Sequence, residues 1–234
     1  MKAIAFIFAR GGSKGLPQKN IKLLDGKPLI KYSIEVALSS VDIERVFVST
    51  DDIAIATVAR ESGAEVIMRP NELATDTSPE WLSWRHAIEY VQKAYGNFDL
   101  FVSLPATSPL RDEADVRSAI AALINQDADV CISITPANRS PYFNMVKQKN
   151  DGTVELVNIP ESGVYRRQDA PEVFDITTVV YTAKPNFILN NNALFEGKVT
   201  SVLIPKERAV DIDDIYDFML AEAIVKEKNK HAGK

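Results

Sequence analysis

Arg10, Lys14 and Lys19 share one short stretch with three glycines and a serine, Ala9-Arg-Gly-Gly-Ser-Lys-Gly-Leu-Pro-Gln-Lys-Asn20. These residue types suit a polyanion. Glycine lets backbone N–H groups close around phosphate oxygens. Arg10 offers a planar fork, and Lys14 and Lys19 offer compact charges. The spacing fits neither G-x-x-x-x-G-K-[ST] nor G-x-G-x-x-G, so the P-loop and the dinucleotide fingerprint are both absent. On residue types alone the stretch is either a phosphate cradle or a basic surface turn.

Near the other end, Asp211 and Asp213 stand two apart in Val210-Asp-Ile-Asp-Asp214. In extended backbone that spacing puts both carboxylates on one face. They repel unless a cation lies between them, and hard oxygen donors of this kind suit Mg²⁺. The competing reading is capping, because Asp213 and Asp214 directly precede a helical pattern. Three further groups have the right chemistry for a site. Leu104-Pro-Ala-Thr-Ser-Pro-Leu-Arg111 puts Thr107, Ser108 and Arg111 at a strand exit, as a binding loop or a plain turn. Arg69-Pro70 ends another strand. Arg166-Arg167-Gln168-Asp169 either binds a carboxylate or phosphate or forms a solvated charge cluster.

Other chemistries are poorly supplied. His86 and His231 are the two histidines of the chain, which leaves little for a His-ligated zinc site or a Ser-His-Asp triad. The single cysteine, Cys131, lies in an apolar run and reads as core. A net charge of −5 argues against nucleic-acid binding without forbidding a local cationic pocket. The apolar run after Met1 is too short for a signal peptide or a membrane span, so a cytoplasmic enzyme is expected.

Strand-like apolar runs alternate with helical patterns and must carry these groups. Residues 4–8, 45–49, 64–68, 100–104 and 128–134 read as strands; residues 29–38, and segments after Asp51, Ser78 and Asp112, read as helices. Asp51 is expected to cap the second helix, Ser78 with Pro79 to open the third, and Asp112 with Asp115 to cap the fourth. Trp81 and Trp84 read as packing residues. The alternation predicts an α/β fold with a mostly parallel sheet covered by helices. Such sheets bind ligands at the C-terminal strand ends, where the opening loop, Thr50-Asp51 and residues 104–111 all fall. Residues 136–171 differ: Pro136, Pro141, Pro160 and Pro171 punctuate them, and Asn150-Asp-Gly152 signals a hairpin. They read as a β-rich arm inserted in a single domain spanning 1–234. A strand over 175–181 rejoins the sheet, and a helix from Ile215 to about Glu227 precedes a frayed basic tail.

The chain resembles the CMP-sialic acid synthetases, or N-acylneuraminate cytidylyltransferases. The opening stretch carries the likeness, followed in order by Arg69-Pro with Leu73-Ala-Thr-Asp-Thr77, Thr107-Ser-Pro-Leu-Arg111, Arg167-Gln168 and Asp211-Ile-Asp213. The resemblance implies a Rossmann-like nucleotidyltransferase fold, CTP as donor, Mg²⁺ as cofactor, an acidic nonulosonic sugar as acceptor, and a homodimer whose arm reaches the partner's site. It implies nucleotide contacts from Ala9, Arg10, Gly11, Ser13, Asn20, Arg69 and Thr77, and catalytic roles for Lys19, Arg10 and Asp211. Metal would be held by Asp211 and Asp213, and the sugar by Thr107, Arg167 and Gln168, with Arg167 facing the sugar carboxylate. The expected reaction is in-line attack of the anomeric hydroxyl on the α-phosphate, with pyrophosphate leaving. The rival readings are a cytidylyltransferase for another acidic sugar such as Kdo, and a non-catalytic nucleotide-sensing module.

The departures cluster on the acceptor side. Pro105-Ala106 stands where N-acetylneuraminate-using members often have Gln-Pro, Thr177-Thr178 where they often have Asn-Gly, and Asp175 where some have arginine. They imply a less hydroxylated acceptor of the legionaminic acid type.

Overall fold

The computed structural model of the chain describes residues 1–13, 15–159 and 166–232. Lys14, Pro160 and the last two residues of the basic tail lie outside the described residues. The elements run β1 (Ala3–Phe8), a small hairpin of β2 (Leu23–Leu24) and β3 (Lys27–Pro28), α1 (Leu29–Ser39), β4 (Ile43–Thr50), α2 (Ile53–Glu61) and β5 (Glu65–Met68). They continue with α3 (Glu80–Tyr95), β6 (Leu100–Ser103), α4 (Glu113–Asn125), β7 (Val130–Pro136), an arm hairpin of β8 (Val146–Gln148) and β9 (Val154–Leu156), and β10 (Phe174–Ala183). The last elements are α5 (Pro185–Asn190), β11 (Val199–Leu203) and α6 (Ile215–Ala232).

Seven strands form one sheet in the order β11-β7-β10-β6-β1-β4-β5. Every pairing in it is parallel except those of β10, which runs antiparallel to both β6 and β7. The period-2 alternation of β1 shows how the layers form. Ala3, Ala5 and Ile7 face a core made with Ile30 and Ile34 of α1, Ala59 of α2 and Val116 and Ile120 of α4. Ile4 and Phe6 face the opposite side, against Trp84, Ile88 and Val91 of α3 and Ile188 of α5. Both tryptophans are packing residues: the Trp84 ring lies 5.1 Å from Phe101, and the Trp81 indole N–H is held by the Asn191 carbonyl at 2.6 Å. Cys131 is buried in the first core, and burial pushes its thiol up to about 12, which removes it as a nucleophile. Among the described residues no helix is long and apolar enough to cross a membrane.

Three local expectations need correction. Asp52, not Asp51, caps α2, its carboxylate accepting from the Ile55 N–H at 3.0 Å; the cap must directly precede Ile53, which leaves Asp51 at the strand end. Helix α3 starts one residue late, with Pro79 in the capping position and the Ser78 hydroxyl buried without a partner. The basic tail continues α6 to Ala232 rather than fraying after Glu227, supported by Glu222–Lys226 (2.9 Å) and Glu227–Lys230 (3.3 Å) ion pairs. The Asp112–Asp115 capping box forms as expected, and so does the Asn150-Asp-Gly152 turn, where Gly152 takes φ 84° between β8 and β9.

Arg111 ties these layers together at the C-terminal sheet edge. Its guanidinium is buried and donates to the Val179 carbonyl (2.6 Å), the Pro105 carbonyl (2.5 Å) and the Ser33 hydroxyl (2.5 Å). It therefore fixes β10, the turn after β6 and helix α1 with one side chain. Burial lowers its pKa to about 9, and the charges of Asp115 and Asp211 oppose that fall. Replacing it leaves several buried acceptors unpaired, at roughly 1–3 kcal/mol each. We expect Arg111→Ala to lose at least about 3 kcal/mol of stability, or roughly 6–12 °C in Tm for a chain this size. Thermal melting followed by circular dichroism checks this; a shift under 2 °C would show that the clamp is dispensable.

Candidate active site

The parallel strands end on one edge, and a cleft of about 390 Å³ opens there. Phe8 and Arg10 come from the end of β1, Arg69 from the end of β5, Pro105, Ala106 and Thr107 from the end of β6, and Thr178 and Tyr181 from β10. Asp211 and Asp213 reach it from the segment before α6. Sheet order therefore sets an axis, from Arg69 on the β5 side, past Arg10, to Thr178 on the β10 side.

Residues almost two hundred positions apart form a seam along this cleft. Ile212 is fully buried with Leu16, Leu110 and Phe218 in a small third core. Its N–H donates to the Thr107 carbonyl at 2.9 Å. With Ile212 turned inward, Asp211 and Asp213 on either side of it line the cleft. Lys19, itself buried, donates to the Ile212 carbonyl at 2.5 Å, and its ammonium lies 3.5 Å from the Asp213 carboxylate. Gly15 packs against the Asp213 carbonyl so closely that a Cβ would overlap it, which accounts for glycine there. The capping alternative is resolved by Asp214, whose carboxylate accepts from the N–H groups of Tyr216 (2.8 Å) and Asp217 (3.1 Å). The carboxylates of Asp211 and Asp213 take no part in that capping, although the Asp213 N–H donates to Asp217 at 3.0 Å.

The opening loop is held from three sides. The Gly11 N–H donates to Asp51 at 3.1 Å, so Asp51 occupies one of the loop amides. Asn20 donates to the Arg10 carbonyl at 3.1 Å, and Ser13 N–H to the Gly11 carbonyl at 3.1 Å; Ala9 N–H continues the sheet to Ser49 at 3.0 Å. Arg10 forms a 2.7 Å ion pair with Asp76 across the mouth of the cleft, a partly exposed contact that a phosphate could displace at little cost. Arg69 is buried and donates to the Ser49 carbonyl at 2.7 Å, with its guanidinium over the Phe8 ring.

The electrostatics follow from crowding. Burial pushes the Asp211 carboxyl up; the hydroxyls of Thr107 and Thr178 and the Lys19 charge pull the other way, while Asp213 adds to the rise. One buried oxygen of Asp211, Oδ1, has no hydrogen-bond donor. Glu80 opens to solvent through the cleft yet has protein on most sides, and this raises its carboxyl against the pull of Trp84 and Arg69. Tyr181 is pushed up to about 12, first by burial and then by Glu80 and Asp211.

Arg10, Arg69, Thr107, Asp211 and Asp213 thus meet in one cleft, with Lys19 behind them. Thr77 does not line it, although its neighbours Asp76 and Ser78 do. Arg167 and Gln168 line a separate pocket of about 450 Å³ in the arm, with Arg139 and Glu172, where Arg167 donates to the Ala137 carbonyl at 2.8 Å. Asp76, Glu80 and Tyr181 carry no site reading of their own in the sequence, whereas Thr178 stands in the Thr177-Thr178 departure on the acceptor side. The signal for Asp76 lies in the Leu73-Ala-Thr-Asp-Thr77 motif, while Glu80 and Tyr181 read as ordinary helix-start and strand residues.

A doubly covered, mostly parallel sheet with a glycine-rich cationic loop and paired carboxylates at its C-terminal edge defines a nucleotidyltransferase. The sequence profile of the cytidylyltransferases matches residues 4–225, and the chain belongs to that family. It is 36% identical over 229 residues to post-translational flagellin modification protein B of Campylobacter coli, covering 97% of this chain and 96% of that protein. It is 34% identical to CMP-N,N'-diacetyllegionaminic acid synthase of Campylobacter jejuni, covering 95% and 94%. The structure of CMP:2-keto-3-deoxy-manno-octonic acid synthetase complexed with CTP superposes with a TM-score of 0.71 at 18% identity, covering 97% of this chain and all of that one.

The raised carboxyl of Asp211 has a consequence for stability. Because the folded state holds the proton more tightly than the unfolded state, stability falls as pH rises from about 3.8 through the folded pKa. Above that window the charged form is a burden on the fold. We expect Asp211→Asn to raise Tm at pH 7 in EDTA; a lower Tm would mean that the carboxylate is structural.

Proposed function

We propose that this cytidylyltransferase moves CMP from CTP to the anomeric hydroxyl of a sialic-acid-like nonulosonic acid and releases pyrophosphate. The observation that carries the reading is the seam at Lys19 and Ile212, which joins the cationic loop to the paired carboxylates in one cleft. In this reading Arg10, Ser13 and Asn20 hold the triphosphate, with the loop amides that Ser49, Asp51 and Gly11 leave open, and Arg69 with the 75–80 segment holds the base. Lys19 faces the α-phosphate and stabilises the charge that develops on its equatorial oxygens.

Asp211 and Asp213 fit a Mg²⁺ ion. The support is the donor-free buried oxygen of Asp211 beside a second carboxylate of the same cleft. Mg²⁺ takes one or two protein carboxylates and completes its shell with substrate phosphates and water. When bound, the ion would supply charge neutralisation and Lewis acidity at the phosphates.

The acceptor we favour is a legionaminic-type acid. Two full-length relatives are a flagellin modification protein and a diacetyllegionaminic acid synthase. Pro105 lines the cleft without a side-chain donor, where a glutamine would supply one. The loss of that one donor suits a less hydroxylated sugar tail. The enzyme is placed in the cytoplasm, where CTP is made and where a lone reduced thiol is ordinary. The test is pyrophosphate release from CTP with N,N'-diacetyllegionaminic acid, N-acetylneuraminate and Kdo side by side. The first should give the highest kcat/KM, and Lys19→Ala should lower kcat about 10²–10³-fold with a smaller effect on CTP binding. No pyrophosphate with any sugar acid would overturn the reading, and near-normal turnover by Lys19→Ala would remove Lys19 from it.

We also propose a homodimer with the arm at its centre. The β8–β9 hairpin exposes Val146 and Val154, Ile159 just beyond it is exposed too, and among the described residues the hairpin has no core of its own. Phe174, Ile176 and Phe195 line an open groove over β7 and β11 at the base of the arm. A two-fold pair would cover both surfaces and bring Arg167 to the neighbouring cleft. Light scattering at micromolar concentration should give twice the chain mass of 25.9 kDa. A fully active monomer would refute the arrangement.

A further inference from the structure

Strand β10 pairs with β7 as far as Thr177 opposite Ser133, and pairs again at Tyr181 opposite Ile132. Thr178, Val179 and Val180 between them face no β7 residue, so the strand bulges at the cleft edge. Two buried side chains satisfy the bulge. Ser133 Oγ donates to the Thr177 carbonyl (3.0 Å) and accepts from the Val180 N–H (3.0 Å) and the Thr177 hydroxyl (2.8 Å). A serine hydroxyl has one hydrogen to give and two lone pairs to fill, so Ser133 is saturated by this bulge. Arg111 meets the carbonyls of Val179 (2.6 Å) and Thr178 (3.3 Å).

The bulge decides what the cleft wall is made of. It places Thr178 in the wall, its hydroxyl 2.6 Å from that of Ser108, and starts Tyr181 on the same wall. A slip by an odd number of residues turns every side chain of a strand to its other face. Without the bulge, Thr178 and Tyr181 could not both keep these positions. Ser133 is itself fully buried and lines no part of the cleft.

We propose that Ser133 is a positioning residue for the transfer reaction, holding Thr178 and Tyr181 on the acceptor side of the cleft through the β10 bulge. The inference rests on the reading that the acceptor lies against the β10 side. Its test has a substrate-free arm and a kinetic arm. In Ser133→Ala, hydrogen exchange at the Val180 amide should accelerate at least tenfold while the Val102 amide of β6 is unchanged. In the same variant, KM for the sugar acid should rise at least tenfold with KM for CTP within twofold. Thr178→Ala, at a half-buried position, should show the same sugar-specific rise and serves if Ser133→Ala fails to fold. Unchanged Val180 exchange would overturn the proposal, and so would KM values for CTP and sugar that move together or not at all. Absence of turnover by the unaltered enzyme would strike the functional reading instead, and the exchange measurement would still decide whether Ser133 holds the bulge.

Discussion

Lys19 rests its ammonium on the carbonyl of Ile212, and the geometry of the cleft depends on that contact. A buried cation needs acceptors, and a buried carbonyl needs a donor. Each is the other's partner, so the first twenty residues and the stretch before α6 are positioned together. Ile212 adds the apolar half of the same junction, filling the space between Leu16 and Leu110. One residue thus turns its side chain into a core, its carbonyl to a lysine and its N–H to Thr107, and the flanking carboxylates are left at the cleft. The cationic loop and the acidic pair stay in register with each other whatever the rest of the cleft contains.

A second constraint acts from the opposite wall. Arg111 is a buried guanidinium to which no carboxylate among the described residues is bonded, and backbone carbonyls and a hydroxyl solvate it instead. Such a group is stable only if its acceptors stay in place, so it rigidifies whatever presents them. Those acceptors belong to α1, the turn after β6 and the β10 bulge. The cleft floor is therefore rigid where Arg111 and Ser133 hold it. The Arg10–Asp76 pair at the mouth is partly exposed and easily exchanged.

Much of this was legible in the sequence because it is local. Apolar runs alternating with 3.6-residue patterns predicted the layers, and the Asp112–Asp115 spacing predicted its capping box. The loop of 9–20 and the 211–213 pair stand out by residue type and spacing, which alone leave a basic turn and a helix cap open; their order along the chain carries the likeness to the family. What could not be read depends on which groups tertiary structure leaves without a partner. Asp51 and Asp52 are equivalent by composition, and the start of α2 at Ile53 and the loop amide of Gly11 separate their jobs. Ser133 sits between Ile132 and Ile134 in a mostly apolar strand, and nothing nearby announces a bulge forty-odd residues later. Arg167 and Gln168 matched a motif, but their place in the arm pocket follows from the path of the arm, which no short pattern specifies.

The reversed direction of β10 has a topological consequence. Pro136 ends β7 directly opposite Phe174, where β10 begins, and the Ala137 N–H bridges to the Val173 carbonyl at 3.2 Å. The chain leaves the sheet and returns to it through a gate one strand spacing wide. Had β10 run parallel, the connection would have had to cross the whole sheet, and its length would have been fixed by the span. An excursion whose ends are already closed by sheet pairing carries little length dependence, since loop-closure entropy grows only logarithmically. The arm is in that sense modular. It can be lengthened, shortened or exchanged as a unit without disturbing the register of the nucleotide-binding half, so surfaces carried on the arm are free to diverge faster than the phosphate chemistry beside them.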